Sequence, residues 1–290
     1  METSLLHAFI TVAETGSFSF AAEKLELTQP AVSKRISALE KTLDTRLFDR
    51  IGKHIGLTEA GELLLPRAKR ILGDVRETET VVHNLSNKVT GELVLATSHH
   101  IGLHRLPPML RKFSNQYHDV ALNISFLGSE IAHEQVLQGN IELAVITLPE
   151  EETARIQSQV VWNDPLFFVV AGDHPLAHKN AIELSEIQKY PAILPDDETV
   201  TRRIINDLFE EHDYALRVTM ITNYLETIKM MVSIGLGWSV LPESMIDKKI
   251  QKLRVKKIKL NRRLGYIYHQ NRTLSNAATA FIKILEQYAK

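Results

Sequence analysis

Cysteine is absent from all 290 residues. Disulfides, thiolate metal sites, cysteine nucleophiles and cysteine-based peroxide sensing are therefore excluded. An excess of one charge is lacking too: 34 Lys and Arg face 35 Asp and Glu, so bulk charge draws the chain neither to nucleic acid nor to a membrane surface. No apolar run approaches the ~20 residues that a bilayer span requires. The start, METSLLHAFI, has neither a basic segment nor a long apolar core. There is no G-x-S-x-G elbow, Walker loop, H-E-x-x-H or dinucleotide fingerprint, and Gly235 and Gly237 around Leu236 are turn chemistry. The expectation is a soluble cytoplasmic protein with no membrane partner. It is not an enzyme, needs no cofactor, and is long enough for a small domain and a larger one.

What is present is concentrated first between Gly16 and Gly61. Phe18, Ala21, Ala22 and Leu25 recur at helical spacing behind an N-cap candidate, Ser17. After a short turn, Thr28 caps a second helix whose first turn holds Gln29 and Pro30. Val32, Ile36 and Leu39 continue the apolar face, leaving Gln29, Ser33, Lys34 and Arg35 on the other side. Two helices joined by a short turn, the second polar at its start, match the helix-turn-helix arrangement. Gln can pair with adenine, Ser with either base edge, and Lys or Arg with guanine or phosphate. The segment from Asp49 to Gly56, with Arg50, Lys53 and His54 between glycine turns, reads as a two-stranded wing. The competing reading is an ordinary helical hairpin with a solvated face, since residues 1–58 hold seven basic and seven acidic side chains.

The spacing Phe9-x-x-Val12, Gly16-Ser17-Phe18-x-x-Ala21-Ala22-x-x-Leu25, Thr28-Gln29-Pro30-Ala31-Val32-Ser33, Leu39-Glu40, Leu47-Phe48-x-Arg50 and Leu57-Thr58-x-Ala60-Gly61 closely resembles the N-terminal domain of LysR-type transcriptional regulators. Phe20 stands where that family often has a polar or basic residue. Asp44 replaces a common glycine at a helix end, a left-handed cap that Asp tolerates. The resemblance implies double-stranded DNA as partner, contacted by Ser17, Thr28, Gln29, Pro30, Ser33, Lys34, Arg35, Arg50, Lys53 and His54.

A long helix is expected from Thr58 to about Asn87, where Leu64, Ala68, Ile71, Val75, Thr78, Val82 and Leu85 form a heptad seam. Pro66 would bend it. A seam flanked by charge favours a partner helix over packing on its own domain, so a homodimer or dimer of dimers on a pseudo-palindromic operator is expected. The domains are then 1–58 (winged helix-turn-helix, all-α with a β wing), 59–90 (linker helix and hinge) and 91–290. The last alternates strands and helices, which predicts mostly parallel sheets. Strands near 160–161 and 166–171 are read as opening another sheet.

The resemblance makes the third domain a two-lobed α/β effector domain similar to periplasmic solute-binding proteins. Lobe I is about 91–161 and 265–290, and lobe II about 162–264. Open α/β sheets bind ligands at strand carboxyl ends near helix N-termini. That rule selects Ser98, His99, His100, Ser129, Thr147, Thr199 and Asn223 as candidates for a small, anionic effector. Ser, Thr and Asn at helix starts are N-caps far more often than ligands. His100 and His104 stand i, i+4, but no carboxylate or thiolate lies beside them in sequence, so no metal is expected. The nine basic residues between Lys248 and Arg263 are read as a solvated strand edge. A ligand-responsive regulator is the reading favoured. The alternative is a solute-binding module without a DNA role, which leaves residues 1–58 no task.

Overall fold

Left-handed turns set the joints of the N-terminal unit in this computed structural model, which describes residues 2–51, 54–151 and 153–289. Helix α1 (Thr3–Thr15) ends at Gly16, whose φ of 62° places it in the region that favours glycine. Ser17 caps α2 (Phe18–Lys24), its hydroxyl accepting from the Phe20 amide at 3.3 Å. Helix α3 (Gln29–Leu43) carries Pro in its first turn and ends at Asp44, which adopts the left-handed cap at φ 48°. Thr28 precedes α3 as expected, although its side chain makes no capping bond. Leu6, Phe9, Val12, Phe18, Ala21, Val32, Ile36 and Leu39 form one buried core. The wing is β1 (Phe48–Ile51) against β2 (His54–Leu57), antiparallel. The Glu40 carboxylate accepts from the Leu47 amide at 2.8 Å and ties the hairpin to α3. Gly52 and Lys53, and the side chains of Arg50 and His54, lie outside the described residues.

Helix α4 (Glu59–Asn84) is capped by Thr58, whose Oγ1 accepts from Gly61 N at 3.1 Å. A Cβ on Gly61 would lie 2.3 Å from the Leu47 carbonyl oxygen, so only glycine lets the helix sit this close. The heptad seam divides. Leu64, Ala68, Ile71 and Leu72 pack into the N-terminal core, so the first half of the seam serves its own domain and the expectation of one continuous pairing face is corrected there. Val75, Val81, Val82 and Leu85 remain exposed further along.

The chain divides into two compact units, Met1–Ser86 with Gln138–Asn140, and Asn87–Leu137 with Ile141–Lys290. The second is built on a seven-stranded sheet: β3 (Gly91–Thr97), β4 (Val120–Phe126), β5 (Leu143–Thr147), β6 (Ile156–Ala171), β9 (Ser239–Pro242), β10 (Ile250–Lys252) and β11 (Leu260–His269). β3 pairs in parallel with β4 and β5, while β6 and β11 run antiparallel and take β9, β10 and β5 as antiparallel neighbours. The expectation of mostly parallel sheets is therefore corrected. So is the second sheet at 160–171: β6 is one strand of 16 residues passing through both lobes. The second sheet is instead β7 (Ala192–Leu194) beside β8 (Val218–Ile221).

Helices cover both faces of lobe I. Leu93, Leu95 and Val145 point to α5 (His99–His104), α6 (Pro107–Gln116) and α11 (Asn276–Glu286), while Ala96, Ala144 and Ile146 meet α7 (Ser129–Leu137). That period-2 division of a strand buried on both sides is what helix-covered sheets require. In lobe II the same alternation sends Phe168 and Val170 toward α8 (Leu184–Ile187) and α9 (Val200–Glu210), and Val169 toward α10 (Leu225–Ser233). Trp238 stacks on Phe209 with ring centroids 5.6 Å apart, and its indole N–H donates to the Tyr190 carbonyl at 3.0 Å.

Candidate functional site

On the N-terminal unit the buried face of α3 leaves its opposite side free. Thr28, Gln29, Pro30 and Lys34 are exposed, and Ser33 and Arg35 half-buried. Gln29 Nε2 donates to Ser33 Oγ at 3.0 Å, one turn apart, so the two amphoteric groups present one hydrogen-bonding edge. Ser17 is half-buried and its hydroxyl oxygen is engaged as a cap. Phe20, on the next turn of α2, is 63% exposed, an aromatic where polar chemistry is the family habit. Polar and basic groups at the N-terminal end of an exposed helix, with the helix dipole behind them, suit a major groove and its phosphates.

Where its two lobes meet, the second unit holds a buried ion-pair cluster. Asp164 on β6, fully buried, accepts from Arg262 Nε on β11 at 2.9 Å through one oxygen and from Arg105 at 2.9 Å through the other. Asp164 and Arg262 are register partners in the β6–β11 pair. Arg262 also donates to Thr201 Oγ1 at 3.0 Å, at the start of α9. Burial pushes the Arg262 guanidinium down while the Asp164 charge opposes the shift. Arg262 is thus no part of a solvated edge, which corrects that reading of the basic run; Lys252, half-buried, and Lys256, exposed, are paired by contrast with Glu243 and Glu183. One buried carboxylate is thus shared by two guanidiniums.

Around it the predicted effector residues divide into those already committed and those not. Ser129 Oγ accepts from the buried Thr147 amide at 3.1 Å, so this pair is brought together by an internal tie. Thr199 caps α9, accepting from Arg202 N and donating to the Asp196 carbonyl. Asn223 Oδ1 accepts from Asp196 N at 2.9 Å. Ser98, half-buried, precedes α5 and makes no capping bond. His99 packs edge-on against Phe126 of lobe I and Tyr224 of lobe II. His100 is buried, and neither ring nitrogen has a hydrogen-bond partner. Burial first, and the Arg262 charge second, push its imidazole down to about 3, so it is neutral at ordinary pH.

Two carboxylates that sequence reasoning missed bond from one lobe to the other. Glu130, from α7, accepts from Val200 N at 3.1 Å, at the first turn of α9. Glu226, from α10, accepts from His104 Nε2 at 3.0 Å and lies 3.6 Å from His99 Nδ1. Burial alone would raise Glu226, but its own backbone amide and His104 outweigh it and hold the carboxyl below its ordinary value. The carboxylate that is absent beside His100 and His104 in sequence is therefore supplied from the other lobe.

Comparison with known proteins matches both units to one family. A family described as the LysR substrate binding domain matches residues 86–290, and one described as a bacterial regulatory helix-turn-helix protein of the lysR family matches residues 3–62. A probable RuBisCO transcriptional regulator of Trichormus variabilis is 32% identical over 289 residues, covering 96% of this chain and 86% of that protein. Two solved structures share the fold. CbnR, crystallised at full length with its target DNA, is 20% identical with a TM-score of 0.69 and coverage of 100% of both chains. The CcmR regulatory domain of Synechocystis, in complex with 2-PG, is 23% identical with a TM-score of 0.63, covering 69% of this chain and 98% of that one. With the helix-turn-helix head, the two-lobed domain and both family matches in agreement, this chain belongs to the LysR family of bacterial transcriptional regulators.

Proposed function

We propose that this regulator reads a pseudo-palindromic operator with the exposed N-terminal face of α3. The effector would be a small organic anion in the cleft of the second unit. Paired chains present two such faces, and the residues offered to DNA are Gln29, Ser33, Lys34 and Arg35, with the wing along the phosphates. Effector binding acts by favouring one arrangement of the lobes over another, which changes the geometry the heads present to DNA.

The observation that carries the effector reading is the pair of guanidiniums, Arg105 and Arg262, brought together between the lobes on the buried Asp164 carboxylate. A second support is that the start of α9 already takes a carboxylate, from Glu130, as helix N-termini favour anions. A phosphorylated or carboxylated metabolite matches that chemistry; the similar CcmR regulatory domain was solved in complex with 2-PG. Ser98, whose hydroxyl makes no capping bond, is the candidate to hydrogen-bond it. The test is a thermal-shift screen of organic acids and phosphate esters, repeated on Ser98→Ala, with a gel shift on the gene's own upstream region at several salt concentrations. No shift by any anion would overturn the effector reading, and no salt-dependent DNA binding would overturn the regulator reading. An unchanged affinity in Ser98→Ala would remove Ser98 alone.

A further inference from the structure

We propose that His100, His104 and Glu226 form a binding site for a divalent transition-metal cation of the zinc type, joining the two lobes of the effector domain. The imidazoles stand one turn apart on α5 of lobe I, and the carboxylate comes from the first turn of α10 in lobe II. One ligand atom from each side chain lies within 4.8 Å of the other two. A tetrahedral cation with bonds of about 2.0–2.2 Å holds its ligands roughly 3.4 Å apart. His104 Nε2 and Glu226 Oε1, at 3.0 Å, are already near that separation, and His100 would have to draw toward them to complete the set.

A separate observation points to the same place. Both ring nitrogens of His100, a residue 5% exposed, lack a hydrogen-bond partner, and so does Glu226 Oε2. Buried polar atoms are rarely left unpaired, and those that are call for a ligand, ion or water. Here the unpartnered atoms belong to two of the three side chains that converge.

Charge and donor type select the ion. Arg262 is close enough to repel a cation from His100, but its charge is matched by Asp164 at 2.9 Å, and Glu226 brings a carboxylate of its own to the triad. Two imidazoles and one carboxylate are a zinc-type donor set, whereas calcium and magnesium demand oxygen ligands. Three protein ligands leave a further position for water or an anion. Because the ligands come from both lobes, bound cation would favour the closed cleft, and its occupancy would couple to DNA binding. The proposal goes beyond the anion reading and does not rest on it, since the metal alone is the ligand tested.

Untagged full-length protein, stripped with EDTA and dialysed, is titrated with Co²⁺ followed by visible absorption, then with Zn²⁺ in competition with a chromogenic chelator. The expected result is one equivalent per chain, with the intense visible bands of low-coordinate cobalt. Glu226→Gln and His104→Ala should each weaken binding by more than the roughly 10–100-fold that loss of a supporting outer partner costs. Both side chains are partly exposed, so the variants keep the fold, which their metal-free melting curves check. Zn²⁺ should raise the melting temperature of the native protein and not of either variant. The chain has 12 histidines in all, so uptake equal to native in both variants would assign the metal elsewhere and overturn the proposal. Absence of stoichiometric uptake by native protein would overturn it as well.

Discussion

Asp164→Asn is the sharpest test of the buried ion-pair cluster. The substitution keeps the shape and one acceptor but removes the charge that two guanidiniums share, and Arg262 is left buried without a counter-ion. Breaking a buried pair from one side costs about 3–5 kcal/mol, because the remaining charge is neither solvated nor matched. For a unit of this size each kcal/mol moves the melting temperature by about 2–4 °C, so the effector unit should melt roughly 6–20 °C lower. Arg105 can turn its partly exposed head to water, which places the loss at Arg262. The control is the double variant Asp164→Leu with Arg262→Met, which removes both charges and should recover most of the loss. Differential scanning calorimetry reads both, with the N-terminal unit as a second transition. A single-variant loss below about 1 kcal/mol, or a double variant as unstable as the single, would refute the assignment of a charge held in place by burial.

Ser129→Ala leaves the buried Thr147 amide unpaired; chemical denaturation should show a loss of about 1–3 kcal/mol, and effector affinity should change less than stability. Lys34→Ala should weaken operator and non-operator DNA alike and reduce the slope of log affinity against log salt by about 0.9 per head. Val82→Glu with Leu85→Glu places charge on the exposed half of α4; sedimentation should show a shift toward monomer at a fixed concentration, with each unit still folded. Glu142, held above its ordinary value by burial against two bonds from Ser275, favours folding at acid pH. Its contribution is full below its unfolded pKa and is lost as pH rises through the higher folded value. Glu142→Gln should flatten that fall, which pH-dependent melting curves measure.

The reading head was legible because its determinants are local. Caps, helical spacing and turn residues between Ser17 and Thr58 act over a few residues, and burial of Val32, Ile36 and Leu39 by itself exposes Gln29 and Lys34. The alternation of strands and helices was local in the same way. Strand direction was not, since a period of two is the same for parallel and antiparallel neighbours, and the 16-residue strand β6 reads as two pieces because it changes lobes midway.

The heptad seam of α4 divided for a related reason: spacing says that a face is apolar, not whose core it enters. One trace of the cleft was in the sequence unread. Asp164 stands between Trp162 and Leu166, and Arg262 between Leu260 and Leu264, each a charge interrupting an apolar alternation, with opposite signs. Their pairing, and the arrival of Glu226 beside His100 and His104, depend on contacts between residues roughly a hundred positions apart. Sequence alone determined the helix-turn-helix head, the alternation of strands and helices, the family and the exposed face of α3. Only tertiary packing decided which hydroxyls are spent as internal ties, which charge is buried, and which side chains meet across the lobes, because desolvation and pairing exist only once the strands are brought together.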